Sequence, residues 1–129
     1  MNQILWKSPV PATALDGCAF QKLPRHVCAL TCDYEDEDND KVVTVKLLFA
    51  GVEAFKCTYL EACTPEMIET AYGKVVDVGS TEWLNAVREQ VATYGDRKVE
   101  ELKHLMIYFD DGPCYEFICR TFRVEESSA

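Results

Sequence analysis

An acidic run, DYEDEDNDK at residues 33–41, is the densest group of potential ligands in this sequence. Three aspartates in the run occupy alternate positions: Asp36, Asp38 and Asp40. This is the spacing of the first half of an EF-hand calcium loop, which also needs glycine at its sixth position and a bidentate glutamate at its twelfth. Those positions hold Lys41 and Leu47. The sequence therefore predicts that the run is not an EF-hand.

Three interpretations of the acidic run stay open, and they differ in what the carboxylates do. Six of the 22 acidic residues lie in it, so the net charge of −9 is largely local. We interpret the run foremost as a solvated connection between two strands. It also suits an electrostatic patch that speeds the docking of a basic protein. A weak, adventitious calcium or magnesium ion is the third interpretation, and we expect no dedicated metal site.

Seven cysteines raise the question of thiol or zinc chemistry: Cys18, Cys28, Cys32, Cys57, Cys63, Cys114 and Cys119. Cys28 and Cys32 are spaced like half a zinc site, but the surrounding HVCALTCDY has the composition of a strand. Residues four apart on a strand are separated by about 13 Å, too far for two thiolates that each lie about 2.3 Å from one zinc. We therefore predict buried, reduced thiols, with no metal and no cofactor.

Only two histidines, His26 and His104, are available for a Cys–His nucleophile pair. In the final hairpin, a four-residue loop would place His104 opposite Cys119. A three-residue loop at 111–113 instead aligns one apolar face with another: Leu105, Ile107 and Phe109 with Cys119, Phe117 and Tyr115. We predict the second register because a one-residue slip would expose a buried face. We name no catalytic residue, since a GxSxG elbow, a P-loop, HExxH and a glycine-rich dinucleotide turn are all absent.

Length and composition indicate one globular domain spanning residues 1–129. The chain is 48% hydrophobic and 27% charged, which are values of a folded protein. Its acidity disfavours nucleic acid as a ligand, because phosphate binding depends on Lys and Arg. The sequence holds no apolar stretch near the roughly 20 residues of a membrane span, and no signal peptide pattern. An odd number of cysteines without a secretory context indicates the cytoplasm.

Periodicity predicts an α+β fold, with an antiparallel sheet of about five to six strands and two helices packed on one face. Alternation of apolar residues indicates strands at 25–34, 41–50, 52–60, 74–78, 104–110 and 114–124. Start and stop signals indicate helices from Thr64 to Gly73 and from Ser80 to Gly95, with a further turn or two in 96–103. We expect residues 1–24 to form an extended arm and residues 125–129 to fray.

The second half of the chain carries a resemblance in three segments: FAGVEAF (49–55), AYGKVVDVGSTEWL (71–84) and HLMIYFDDGPCYEFIC (104–119). This pattern resembles small uncharacterised bacterial single-domain proteins, some of which look like immunity partners of polymorphic toxins. The resemblance covers about residues 45–122 and implies no catalytic residues. It implies tight binding of a partner, with acid-rich loops meeting a basic site.

These observations favour a non-enzymatic cytosolic protein-binding module. It would act as an immunity-type inhibitor of a basic protein, or it would self-associate into a homo-oligomer. We predict that its contacts are an acidic loop and exposed aromatic residues of the last hairpin, as polar rims and aromatic anchors are common in interfaces. The residues are Glu35, Asp36, Glu37, Asp38, Asp40, Tyr108 and Phe122. The alternative is a small-molecule binder or enzyme with a pocket between the sheet and the helices.

Overall fold

The computed structural model describes residues 2–95 and 98–128, and within them the chain forms nine strands and two α-helices. The strands are β1 (Gln3–Lys7), β2 (Asp16–Leu23), β3 (Val27–Asp36), β4 (Lys41–Ala50), β5 (Ala54–Thr58), β6 (Lys74–Asp77), β7 (Lys103–Tyr108), β8 (Cys114–Cys119) and β9 (Thr121–Ser128). The helices are α1 (Pro65–Ala71) and α2 (Glu82–Ala92), and short 3₁₀ turns occur at Ala12–Ala14, Leu60–Ala62 and Val99–Glu101. No helix in these ranges is long and apolar enough to cross a membrane.

The strands form two antiparallel sheets, so the α+β class is confirmed and the prediction of a single sheet is wrong. A central sheet has the order β1-β6-β7-β8-β5, and an outer sheet has the order β2-β3-β4-β9. The sheets separate because the chain passes from one to the other three times: between β1 and β2, at Gly51 and at Arg120. At Gly51, with φ of 65°, it leaves β4 and enters β5 instead of pairing the two strands. At Arg120 it leaves β8 and enters β9, which divides the predicted strand 114–124 in two.

The main core lies between the two sheets. Alternate residues of β4, among them Val45, Leu47 and Phe49, are fully buried there, and Phe49 stacks on Phe117 of β8 with ring centroids 4.0 Å apart. The opposite face of the central sheet contacts the helices. Ala71 of α1 packs against Met106 and Tyr108, and Leu84 of α2 packs against Ile118. Both faces of β7 and β8 are therefore covered, which explains why these strands are apolar apart from Lys103, His104 and Glu116.

Local sequence signals account for both helices. The Thr64 hydroxyl accepts the Met67 backbone N–H at 3.2 Å, Pro65 occupies the first helical position, and Gly73 follows α1 with φ of 66°. In α2 the cap is Thr81, one residue beyond the predicted Ser80, and its hydroxyl accepts the Leu84 N–H at 3.1 Å. Of the predicted turn in 96–103, Val99–Glu101 forms a 3₁₀ turn, and Asp96 and Arg97 lie outside the described residues.

Both ends of the chain contain strands, contrary to the expected arm and frayed tail. Residues 2–24 supply β1, which pairs with β6, and β2, which pairs with β3. Residues 125–128 continue β9 along β4, with Glu126 opposite Val45. Met1 and Ala129 lie outside the described residues. These strands occupy sheet edges, where only one neighbour constrains the sequence, and the prolines and glycine of the first segment obscure its periodicity.

The final hairpin keeps the predicted faces but not the predicted register. Leu105 lies opposite Phe117 and Ile107 opposite Tyr115, so the connecting loop has five residues, 109–113. The shift from the predicted pairing is two residues, which leaves each side chain on its expected face. His104 lies opposite Ile118 rather than Arg120.

Candidate functional site

The acidic hairpin, which we define as residues 35–40, connects β3 to β4. The last cross-strand pair before it is Asp36 with Lys41, and Asp40 reverses the chain with φ of 50°. The Asn39 side-chain amide donates to the Asp36 carboxylate at 2.7 Å, which fixes the turn. Glu35, Glu37, Asp38 and Asp40 are exposed, whereas Asp36 is half-buried. The hairpin thus presents five carboxylates at one end of the outer sheet.

A groove of about 660 Å³ lies beside the acidic hairpin, between residues 34–38 and the segment 9–16. We call it the acidic groove. The segment is shaped by Ser8, whose hydroxyl donates to the Val10 carbonyl at 2.6 Å, and by the 3₁₀ turn with Ala12 buried. Burial, with smaller effects from nearby carboxylates, raises the pKa of the groove-lining Tyr34. Asp16 adds a carboxylate to the groove, and its lining includes no Lys or Arg.

The composition of the acidic groove suits a long cationic side chain. Pro9, Pro11 and Tyr34 offer apolar surface to a methylene stem, and the carboxylates can accept hydrogen bonds from an ammonium or guanidinium group. Among residues 2–95 and 98–128, no group of three or more His, Cys, Asp or Glu side chains converges as in a metal site.

The two aromatic residues predicted as partner contacts do not join this surface. Tyr108 is only 2% exposed and packs beside Tyr72 under α1, so its prediction as an exposed anchor is wrong. It is buried because helices cover the face of β7 that the sequence suggested was free. Phe122 is half-buried against Phe49, with ring centroids 5.2 Å apart. Phe49 lies eight residues along β4 from Lys41, so Phe122 is roughly 26 Å from the acidic hairpin.

A buried polar chain on the helix-facing side of the central sheet was missed by sequence reasoning. His104 Nδ1 lies 2.9 Å from the Thr81 hydroxyl oxygen, and its Nε2 lies 2.9 Å from a Glu116 carboxylate oxygen. His104 and Glu116 are 5% and 6% exposed. Glu116 lies opposite Met106, so the two polar residues fall on one face of the hairpin. The signal in the sequence that could have revealed this pair is the position of two polar residues on one face of two otherwise apolar strands.

A hydroxyl, an imidazole and a carboxylate joined by hydrogen bonds can relay a proton, but this buried polar chain of side chains is closed to a substrate. The Thr81 hydroxyl is occupied by the Leu84 N–H, and the Trp83 ring lies edge-on to the imidazole, 5.0 Å away. The Lys56 ammonium sits 4.1 Å over that indole. Among the described residues, His104 lines neither the acidic groove nor any of four other cavities beside the two sheets. The buried polar chain Thr81–His104–Glu116 therefore ties the start of α2 to the central sheet.

The thiols are mostly buried and free, in keeping with the predicted role as core residues. Cys28, Cys32, Cys114 and Cys119 are buried, whereas Cys57 is exposed. Burial raises the pKa of the Cys28 thiol, and it raises the pKa of Cys119 to about 12. These groups stay protonated and unreactive near neutral pH.

The thiol of Cys18 differs from these buried thiols because its pKa is lowered rather than raised. A hydrogen bond from the Cys32 thiol lowers the pKa of Cys18, against the opposing effect of partial burial. The two residues lie on the neighbouring strands β2 and β3, beside the irregularity between Asp16 and Ala19. Cys28 and Cys32 both point into the main core along β3, as expected for strand residues four apart.

Arg120 joins two of the three points at which the chain changes sheet, the crossover at Gly51 and the crossover at Arg120 itself. Its backbone N–H donates to the Ala50 carbonyl at 3.0 Å, and its Nη1 donates to the Gly51 carbonyl at 3.1 Å. The same nitrogen lies 2.9 Å from the Glu53 carboxylate, which is only 8% exposed. One residue thus contacts both of these crossovers, and we call the region formed by Ala50, Gly51 and Arg120 the corner.

No protein-family model, no curated protein and no solved structure matches this chain.

Proposed function

We propose that the protein is a non-enzymatic, cytosolic protein-binding module whose acidic hairpin and acidic groove bind a basic segment of a partner protein. The observation that carries this proposal is the arrangement of the carboxylates. Glu35 to Asp38 and Asp40 project from one hairpin, next to a groove that holds Asp16 and no cation.

Clustered carboxylates repel one another, and a cationic partner relieves that repulsion on binding. Their summed field also attracts a basic surface from a distance, which raises the association rate at low ionic strength. Two copies of the hairpin would repel each other for the same reason, so the hairpin does not pair with its own copy, and the partner proposed here is a basic segment of another protein. The resemblance to immunity-type proteins is consistent with a basic toxin domain as that partner.

The proposal is tested by capturing partners from host lysate with the whole protein. The hairpin variant E35Q/D36N/E37Q/D38N removes four charges from the site. The control variant E61Q/E69Q/E89Q/E100Q removes four exposed charges elsewhere, so both variants have the same net charge. We expect the wild type and the control to capture the same partner, and the hairpin variant to lose it. Equal capture by all three proteins would reject the proposal.

A further inference from the structure

The two sheets leave a second cavity at the edge where β2 and β5 meet, and we call it the sheet-edge cavity. Its volume is about 630 Å³, and residues 22–28 and 52–55 line it. Phe20 of β2 and Phe55 of β5 have ring centroids 5.1 Å apart, so the two edge strands lie side by side below the opening. A volume of this size is typical of a small-molecule site.

The inner wall of the sheet-edge cavity is apolar. Cys28 and Val52 are buried at 2% and 7% exposure, and Phe55 contributes a partly exposed ring. Lys22 lies directly opposite Cys28 in the β2–β3 pair, so both side chains leave the same face of the outer sheet. The cavity therefore combines an apolar wall with an amine above it.

The charges around the opening are positive, although the whole chain carries −9. The side chains of Lys22 and Arg25 are exposed, and neither side chain forms a hydrogen bond or an ion pair with a residue the structure describes. Glu53 is the only carboxylate in the lining, and Arg120 lies 2.9 Å from it. His26 also contacts this carboxylate, with its Nδ1 3.9 Å from a Glu53 oxygen. An anion would thus meet two cations that nothing else in the described chain neutralises.

The turn that carries these cations has an unusual backbone. Arg25 and His26 have φ values of 65° and 61°, the left-handed region that residues with side chains rarely adopt. The turn is held by His26, whose carbonyl accepts the Val52 N–H at 2.9 Å and whose Nδ1 lies 3.1 Å from the Val52 carbonyl oxygen. Both residues belong to the tight turn of the β2–β3 hairpin, where positive φ values are common, and the contacts with Val52 fix this turn beside the cavity.

We propose that the sheet-edge cavity binds a small organic anion with an apolar body, of the class of aryl- or alkyl-carboxylates. The apolar body lies against Cys28, Val52 and Phe55, and the carboxylate lies between Lys22 and Arg25. The site is separate from the acidic hairpin, and its charge is opposite.

The test compares two probes of the same shape, 4-phenylbutyrate and its neutral analogue 4-phenylbutanamide, by titration calorimetry and by backbone amide shifts in NMR spectra. We expect the anion to bind at least tenfold more tightly than the amide, with shifts confined to residues 22–28 and 52–55. Equal affinities, shifts elsewhere on the protein, or no binding of the anion would overturn the proposal.

Variants separate charge from cavity volume. K22Q/R25Q should reduce the affinity for 4-phenylbutyrate at least tenfold and leave that for the amide unchanged, whereas the control K7Q/K103Q should change neither. C28F should fill the cavity and remove both ligands, with thermal melting as the check that it folds. If C28F fails to fold, K22Q/R25Q still decides the outcome: unchanged affinity for the anion would overturn the proposal. K22Q/R25Q should leave partner capture by the acidic hairpin intact, so the two proposals can fail independently.

Discussion

The buried pair His104–Glu116 gives a stability prediction whose magnitude follows from its burial. Both side chains are less than a tenth exposed, and the Glu116 carboxylate is 2.9 Å from the imidazole. Replacing His104 with Leu leaves the buried Glu116 carboxylate without its partner. Removing one partner of a buried pair in this way costs about 3–5 kcal/mol. Replacing Glu116 with Leu leaves one ring nitrogen of His104 without a hydrogen-bond partner, which costs about 1–3 kcal/mol.

The double variant H104L/E116L distinguishes a coupled pair from two independent residues. Two leucines leave neither an imidazole nor a carboxylate unpaired in that layer, and the half-buried Thr81 hydroxyl, which loses His104, still accepts the Leu84 N–H. Replacing such a buried pair with apolar residues is often neutral. We therefore expect the double variant to be more stable than H104L alone, with a coupling energy of about 1–3 kcal/mol in the cycle. E116Q, which keeps the shape and one hydrogen bond, should cost about 1 kcal/mol.

Urea denaturation followed by tryptophan fluorescence supplies the four free energies of unfolding. Trp83 is a suitable reporter because its ring contacts His104. If the double variant loses the sum of the two single costs, His104 and Glu116 do not act as a pair.

Three further predictions follow from the corner, the thiols and the buried titratable groups. G51A should lower the free energy of unfolding by more than the roughly 1–3 kcal/mol of left-handed backbone strain, because its Cβ would lie 2.9 Å from a neighbouring side-chain carbon. Iodoacetamide should label Cys57 in the folded protein well before Cys119, as only the first is exposed. Stability should fall as the pH rises above about 9, because burial raises the pKa of Cys119 from 9.0 and of Tyr115 from 10.0, in each case to about 12.

Each of these has a control or a contrary outcome. Gly17 has nearly the same φ as Gly51, 61° against 65°, and its nearest neighbouring atom would be 4.0 Å from an added Cβ. G17A should therefore cost less than G51A, and equal costs would remove the clash from the explanation. Labelling of all seven thiols at one rate would contradict their burial.

The pH prediction has a defined sign. The protonated forms of Cys119 and Tyr115 are favoured in the folded state, so their contribution is complete below the pKa values of the unfolded chain and is lost as the pH approaches 12. For Cys119 the full effect is up to about 4 kcal/mol, at 1.36 kcal/mol per unit of pKa. Urea unfolding from pH 8 to pH 11 measures it, and C119A should make the profile less steep, with Tyr115 and the buried thiol of Cys114 supplying part of the remaining slope. A flat profile for the wild type would refute the burial argument.

Local signals predicted the elements better than their assembly. Strand β4 was predicted at its observed bounds, Lys41–Ala50, because β-branched residues alternate along it and it is buried on one face. Helix α1 was predicted from Thr64, Pro65 and Gly73, each of which has a defined role at a helix end. The division into two sheets could not be predicted, because nothing around Gly51 specifies that β5 pairs with β8 rather than with β4.

The same limit applies to the functional surfaces. The acidic hairpin was predicted as the connection between two strands because its charges interrupt two β-rich segments. The acidic groove depends on residues 9–16, which approach it only in the folded chain. Tyr108 was assigned to the surface because alternation identifies two faces of a strand but not which layers cover them.

The central claim is that the acidic hairpin binds a basic partner. It is tested most directly by the association rate of the captured partner, measured by stopped-flow or biolayer interferometry over a range of ionic strengths. The rate for the wild type and for E61Q/E69Q/E89Q/E100Q should fall steeply as salt is added, since exposed charges are screened beyond about 10 Å at 0.1 M. E35Q/D36N/E37Q/D38N should associate more slowly and with a weaker dependence on salt. Equal rates and equal salt dependence in all three proteins would show that the hairpin is only a solvated turn.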